Sequence, residues 1–196
     1  MIGHISVEDQ VDADFHRAFL KASLRRWRGR LRRDSVRERL LSFDEAKRAL
    51  ARWSQAHRGI RVVEVEKIVG SVGRFQDFDG SFLPVKQSME GRWCRVDRAY
   101  HRGVELPAVS LYKLGDAYFV RDGNHRVSVA RYHGVAAIDA EVTEFRGHAR
   151  TRDEPAPQAA DGPAHLPRYP LEPGASGSLP RLLRWLPTKP EPRPVA

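Results

Sequence analysis

Asp122-Gly123-Asn124-His125-Arg126 is the most informative part of the chain. It follows a predicted strand and opens a predicted helix, and its glycine allows a sharp turn with room for a ligand. The first N–H groups of a helix lack partners within it, the helix dipole adds partial positive charge there, and an arginine supplies a planar fork of donors. The stretch therefore predicts an anion-binding site. The alternative is an ordinary glycine turn in which Asp122 or Asn124 caps the helix.

The elements around this stretch predict a mixed α+β domain over residues 59–148. Pro107 to Leu114 is predicted to be a strand, followed by a two-residue hairpin turn at Gly115-Asp116 and a return strand from Ala117 to Arg121. The helix then ends near Gly134, and alternating apolar residues predict a closing strand over 138–143. Upstream, Arg61 to Val65 is predicted to be a strand and residues 84–102 to be partly helical. This order of elements indicates a compact sheet with strands of mixed direction.

Residues 1–58 predict a basic helical extension. Apolar residues recur there at helical spacing: Phe15, Phe19, Leu20, Leu24, Trp27 and Leu31. From Phe15 to Arg33 there are eight basic residues and no acidic one. This helix is either a surface for nucleic acid or anionic lipid, or a helix docked by its apolar stripe with a solvated arginine face, and the second interpretation is favoured.

A second helix is expected after Ser42, which is a good N-cap with Glu45 three residues later. Its apolar spacing continues through Trp53, and the helix is expected to stop near Gly59. At the other end of the chain, residues 149–196 carry most of the prolines and predict a disordered tail.

Composition narrows the classes of partner. The chain has 196 residues, a formal net charge of +9 and a sequence pI of about 10.2, which favours polyanions such as nucleotides or nucleic acid. A GC-rich coding sequence alone would also enrich arginine over lysine. The lone Cys94 excludes an internal disulfide and has no CxxC partner, and no protein-bound metal centre is predicted. With no apolar run of bilayer length and no signal-like N-terminus, we expect a cytoplasmic protein.

From about Val62 to Phe145 the pattern resembles the ParB/sulfiredoxin superfamily, and the ParB N-terminal domain in particular. That domain has a strand ending in an arginine-containing loop, here Glu64 to Arg74, then a hairpin, a Gly-x-x-Arg turn, a helix and a closing strand. Gly123-Asn124-His125-Arg126 stands where ParB proteins have Gly-Glu-Arg-Arg and sulfiredoxins have Gly-Cys-His-Arg. The resemblance implies a pocket for a nucleoside triphosphate or diphosphate, with or without Mg²⁺.

The resemblance also implies roles for individual residues. Gly123, Asn124, His125 and Arg126 would line the phosphate site, and Arg74 would match the arginine of the first motif. His125 would donate to a phosphate oxygen, or pack and cap. Asp122 would cap the helix, hold a hydrated Mg²⁺ or act as a base, and capping is favoured.

Two departures from the family narrow its functions. Asn124 stands where sulfiredoxins have their nucleophilic cysteine, so sulfinic-acid reduction is not expected. Partition ParB proteins carry a helix-turn-helix after this domain, where this chain has its proline-rich tail, so centromere-type sequence recognition is not expected either.

Three functions stay open. The first and leading one is a ParB-like nucleotide-binding module, regulatory or DNA-associated, for which a homodimer is a family-level expectation. The second is a Mg²⁺-dependent phosphoryl-transfer enzyme or nuclease, with Asp77, Asp79 or Asp122 as the carboxylate. Asp77 and Asp79 are, on the favoured reading, only loop and turn residues beside Gly80. The third is a non-specific nucleic-acid adaptor that binds through the helix over residues 15–33.

Overall fold

The computed structural model of the protein describes residues 6–32, 39–50 and 52–148. The predicted tail at 149–196 lies outside the described residues. Short 3₁₀ turns at Val65–Lys67 and Gln87–Met89 separate some of the main elements. In chain order these elements are α1 (Val7–Arg32), β1 (Leu41–Ser42), α2 (Phe43–Arg48), β2 (Arg52–Glu64), β3 (Ile68–Ser71), α3 (Glu90–His101), β4 (Val109–Leu114), β5 (Ala117–Asp122), α4 (Asn124–Tyr132) and β6 (Ala137–His148).

The strands form one six-stranded sheet in the order β1-β3-β5-β4-β6-β2. The pairs β1/β3, β3/β5 and β4/β6 are parallel, whereas β4/β5 and β6/β2 are antiparallel. The hairpin between β4 and β5 turns at Gly115, whose φ of 61° is the left-handed conformation that glycine adopts without strain. The predicted α+β class with strands of mixed direction is therefore confirmed.

Alternating residues bury the two faces of the sheet in separate apolar clusters. Leu111 and Val120 point to one face, where they pack with Val127 of α4. Leu114 and Phe119 point to the other face, where Phe43 of α2 covers them. The period-two alternation of the strands thus places α4 and α2 on opposite sides of the sheet.

Helices α1, α3 and α4 pack together around Trp93, which is fully buried. Phe15 of α1 meets its ring edge-on at 5.7 Å, and its indole N–H donates to the buried hydroxyl of Ser128 on α4 at 2.9 Å. At the far end of α4, Arg131 donates to the carbonyl oxygens of Glu66 (3.2 Å) and Ile68 (3.0 Å). These contacts fix α4 between the sheet and α3.

The predicted apolar stripe of α1 is buried only along its first half. Of its members Phe15 is fully buried and Phe19 partly buried, and three further residues of α1 are fully buried beside them: Val11, Ala18 and Ala22. The other four members of the stripe are all more than half exposed: Leu20, Leu24, Trp27 and Leu31. The prediction that one continuous stripe docks the helix is therefore wrong beyond Phe19.

The second predicted helix is confirmed at its start and wrong at its end. The hydroxyl of Ser42 accepts a hydrogen bond from the backbone N–H of Glu45 at 3.5 Å, but α2 stops at Arg48. Residues from Arg52 onward, including Trp53, belong to β2, which pairs along its length with β6. Cross-strand pairing overrides the local helical spacing there, and both strands are longer than predicted.

Part of the predicted loop from Glu64 to Arg74 forms β3 (Ile68–Ser71), a strand that was not predicted. An added Cβ on Gly70 would lie 2.3 Å from the carbonyl oxygen of Leu41, so only glycine allows β1 to approach β3 this closely. No helix in the described part of the chain is both long and apolar enough to span a bilayer.

Candidate anion-binding pocket

A pocket of about 300 Å³ lies at the sheet edge where β3 and β5 end. These two strands are parallel neighbours, so their carboxyl ends meet at the same edge, and the Val72 N–H extends the pairing by donating to Val120 at 3.0 Å. The loop after β3 and the turn after β5 therefore converge, and α3 forms the opposite wall. The lining residues are Arg74, Arg92, Arg95, Val96, Asp122, Gly123, Asn124, His125 and Arg126. All six residues predicted from the sequence are brought together here.

Gly123 makes the turn into α4 in a conformation that other residues rarely adopt. Its φ is 98°, and an added Cβ would lie 2.7 Å from Val109 and 3.0 Å from the Arg126 guanidinium. Gly123 is itself the N-cap, and no side chain caps this helix. The prediction that Asp122 or Asn124 caps α4 is therefore wrong, and Gly123, as the N-cap, offers no side-chain acceptor to the first N–H groups of the helix, whose residues line the pocket.

Arg126 has different partners from those predicted. Its guanidinium donates to the carbonyl oxygens of Pro107 and, at 2.8 Å, of Ala108, and pairs with the Asp122 carboxylate at 2.7 Å. Only 16% of the Arg126 side chain is exposed, whereas that of Asp122 is 78% exposed. Arg126 thus clamps the start of α4 to the segment before β4 and gives the pocket wall its shape.

The cations that face solvent in the pocket come mostly from α3. Arg74 pairs with Asp77 at 3.3 Å and keeps 42% of its side chain exposed. Arg92 and Arg95 are exposed, and neither has an ion-pair partner within the described residues. Neither arginine was predicted to be a site residue, because only tertiary packing brings α3 to this edge of the sheet.

His125 and Asn124 place polar atoms at the pocket without partners. The His125 ring meets Phe78 edge-on at 5.7 Å, and both of its ring nitrogens are buried with no hydrogen bond to the described chain. Burial, reinforced by the charges of Arg74 and Arg92, lowers the pKa of His125 from 6.5 to about 4, so the ring is neutral at pH 7. Asn124 is 9% exposed, and its side-chain oxygen also lacks a partner.

The other candidate carboxylates serve local structure. Asp79 is buried, and its Oδ1 accepts from the backbone N–H groups of Ser81 at 2.9 Å and Leu83 at 2.8 Å, which confirms its predicted turn role. Asp77 bridges Arg74 and Lys86. Both carboxylates are therefore engaged, and neither lines the pocket.

Cys94 is remote from the pocket chemistry. It is 5% exposed in the cluster that joins α1, α3 and α4, and burial raises the pKa of its thiol to about 11. The thiol is therefore protonated at neutral pH and is a poor nucleophile.

A second polar cluster lies between α1, α3 and the end of α4. Two carboxylates and two imidazoles each offer one atom there, and these atoms all lie within 4.8 Å of one another: Asp14, Asp97, His101 and His133. One signal for this cluster is present in the sequence: the i, i+4 spacing of Asp97 and His101 puts both on one face of α3. The other two residues lie far away in the chain.

Comparisons with known proteins found no relative of this chain. Neither the models of protein families, nor the curated proteins, nor the solved structures gave a match to the chain.

Proposed function

We propose that this chain is a phosphate-binding module of ParB/sulfiredoxin type whose ligand is a nucleoside diphosphate or triphosphate. The observation that carries the proposal is the charge around the start of α4. Four arginines line the pocket against a single carboxylate, Asp122, which already pairs with Arg126. Of the four, Arg92 and Arg95 have no ion-pair partner in the described part of the chain, so a polyanion would supply the charge that they lack.

Each part of the pocket has a distinct role in this proposal. The backbone N–H groups at the start of α4 bind one phosphate group, as helix N-termini do in phosphate sites. Arg92 and Arg95 bind the next phosphate groups from the α3 side. Arg126 is a positioning residue, because its hydrogen bonds hold the Gly123 turn open. A volume of about 300 Å³ is at the lower end of small-molecule sites, which suits a phosphate chain with the base at the rim.

We infer binding without turnover, because turnover would need a carboxylate beside the phosphate to hold Mg²⁺ or take a proton. Among the residues that the structure describes, Asp122 is the only carboxylate that lines the pocket, and Arg126 holds it. Asp77 and Asp79 are engaged elsewhere. Assaying Mg²⁺-dependent nucleotide turnover, with Asp122→Asn as the matched variant, tests this part; turnover in the wild type that Asp122→Asn removes would contradict it.

The direct test of the proposal is a thermal-shift screen of the full chain against nucleoside di- and triphosphates, with and without Mg²⁺. A ligand at 100 times its dissociation constant adds about 2.7 kcal/mol to the free energy of unfolding, which such a screen detects. Inorganic pyrophosphate serves as the probe without a base. No stabilisation by any of these polyphosphates would refute the proposal.

A second candidate function is supported by α1. From Leu20 to Arg28 every residue except Ala22 is exposed, so arginines and the apolar Trp27 share one open surface. Such a surface suits the phosphate backbone of a nucleic acid, with an aromatic ring available for stacking. This binding would weaken steeply with salt and ignore sequence. A mobility shift that is the same at low and physiological salt would argue against it.

A further inference from the structure

The cluster between α1, α3 and α4 brings four potential metal-ligand side chains together in a buried place. Asp14 is 4% exposed and Asp97 is fully buried, and the two imidazole side chains are 16% and 14% exposed. Nε2 of His101 lies 2.9 Å from Asp14 and 3.5 Å from Asp97, while Nε2 of His133 lies 2.6 Å from Asp97. Four ligand atoms therefore surround one small volume.

These separations are close to those of a four-coordinate site. Zn–N and Zn–O bonds of about 2.0–2.2 Å in a tetrahedron place the ligand atoms roughly 3.3–3.6 Å apart. The three shortest imidazole–carboxylate contacts, at 2.6–3.5 Å, differ from that by less than an ångström, and all four ligand atoms lie within 4.8 Å of one another. Side-chain rotations that replace the two direct imidazole–carboxylate hydrogen bonds would bring the four atoms to metal-binding distances. Nitrogen and oxygen ligands in this number are the set that Zn²⁺ takes in proteins.

Charge and hydrogen bonding give a second, independent reason to expect a metal ion in this cluster. The Oδ2 atom of Asp97 is buried and accepts no hydrogen bond within the described residues; its contact with Nε2 of His101, at 3.5 Å, is an ion-pair distance only, and a buried carboxylate oxygen without a hydrogen bond is costly. With both imidazoles neutral the cluster holds two negative charges, which one divalent cation would balance. Arg17 contacts only the outer oxygen of Asp14, at 2.6 Å, from a side chain that is 61% exposed.

We propose that a divalent transition-metal ion, Zn²⁺ by its ligand chemistry, binds between α1, α3 and α4, held by Asp14, Asp97, His101 and His133. The site is structural, because its four ligands are largely buried and join three helices. Tyr132 is a positioning residue whose hydroxyl donates to Asp14 at 2.7 Å, as outer partners of metal ligands do. The competing explanation is that both imidazoles hydrogen-bond to the two carboxylates through Nε2 and leave no place for a metal.

Cobalt substitution distinguishes the two explanations in the full chain. After treatment with EDTA, the wild type should bind one equivalent of Co²⁺ with the visible absorption of a tetrahedral site, and Zn²⁺ should displace it. His133→Gln and Asp97→Asn should abolish the absorption, whereas His57→Gln, which removes an exposed histidine from β2, should retain it. Tyr132→Phe should weaken metal affinity by roughly 10–100-fold.

Where a variant fails to fold, measurements on the wild type alone still test for the metal site. Histidine-resolved NMR should show that Zn²⁺ shifts the ring nitrogens of His101 and His133 and leaves those of His57 unchanged. Absence of the Co²⁺ absorption, unshifted His101 and His133 resonances, or an absorption that survives both ligand variants would each overturn the proposal. The nucleotide screen is repeated on the EDTA-treated chain. Nucleotide binding and metal binding are therefore tested separately, and one proposal can fail without the other.

Discussion

Replacing Arg92 by alanine tests the pocket at an arginine that has no structural partner. The side chain is exposed and has no ion pair within the described residues, so its loss should change the free energy of unfolding by less than about 0.5 kcal/mol. A charge-assisted hydrogen bond to a phosphate oxygen contributes about 1.5–3 kcal/mol. We therefore expect Arg92→Ala to raise the dissociation constant of a nucleotide by about tenfold to a hundredfold.

The assay is calorimetric titration of the full chain with the tightest nucleotide of the screen and with inorganic pyrophosphate. Arg48→Ala is the matched control, because it removes the same charge from α2, on the opposite face of the sheet, and should leave affinity unchanged. A second readout follows from the effect of Arg92 on its neighbour, since loss of this charge should raise the pKa of His125 from about 4 toward 6.5. Equal affinities of wild type and Arg92→Ala, or equal losses in Arg92→Ala and Arg48→Ala, would refute the assignment of the site.

Four further variants or conditions test the surrounding structure. Gly123→Ala should lower the free energy of unfolding by about 2 kcal/mol, because φ is positive and the methyl group meets a neighbouring side chain; a urea melt that moves by less than the error would contradict this. Arg126→Ala should cost about 1–2 kcal/mol in the same assay, since it removes a largely buried side chain and leaves the Ala108 carbonyl oxygen without its donor, whereas the exposed Asp122 carboxylate stays solvated. The pKa of His125 is about 4 in the folded state and 6.5 ordinarily, so the unfolded chain binds more protons between these values. Stability should therefore fall as pH drops from 6.5 to 4, by about 1–2 kcal/mol for this partly exposed ring, and His125→Gln should flatten that slope. Trp93→Phe should cost about 2–3 kcal/mol by opening a cavity and leaving the Ser128 hydroxyl without its donor; a thermal melt like that of the wild type would count against the packing described.

The block from β4 to β6 could be predicted from the sequence because each of its boundaries has a local cause. Gly115, Gly123 and Gly134 all adopt positive φ, at the hairpin turn, the start of α4 and its end. Apolar alternation fixes which strand residues are buried. The convergence of Arg74 with the Gly123 turn was implied only by the family resemblance, because β3, the strand that places the Arg74 loop beside the end of β5, was not predicted.

Other features of the fold and of the pocket leave no local signal in the sequence. Residues 52–58 carry a helical spacing, but Arg52 to His57 pair with residues of β6 that lie 86 to 96 positions later in the chain. Arg92 and Arg95 read as an ordinary solvated helix face, and only the packing of α3 against α4 turns that face toward the pocket. The predicted cap of α4 failed because the glycine that makes the turn occupies the cap position itself.

Strand β2 carries a break in register between His57 and Ile60, with Gly59 between them at a φ of 68°. As the last strand in the sheet order, β2 would otherwise present a straight row of backbone donors and acceptors, beside Ile60 and Val62 at 67% and 75% exposure. Twisted edges and nearby charges such as Arg61 discourage a second molecule from adding its own strand. Straightening that irregularity would thus promote self-association before it destabilised the native fold.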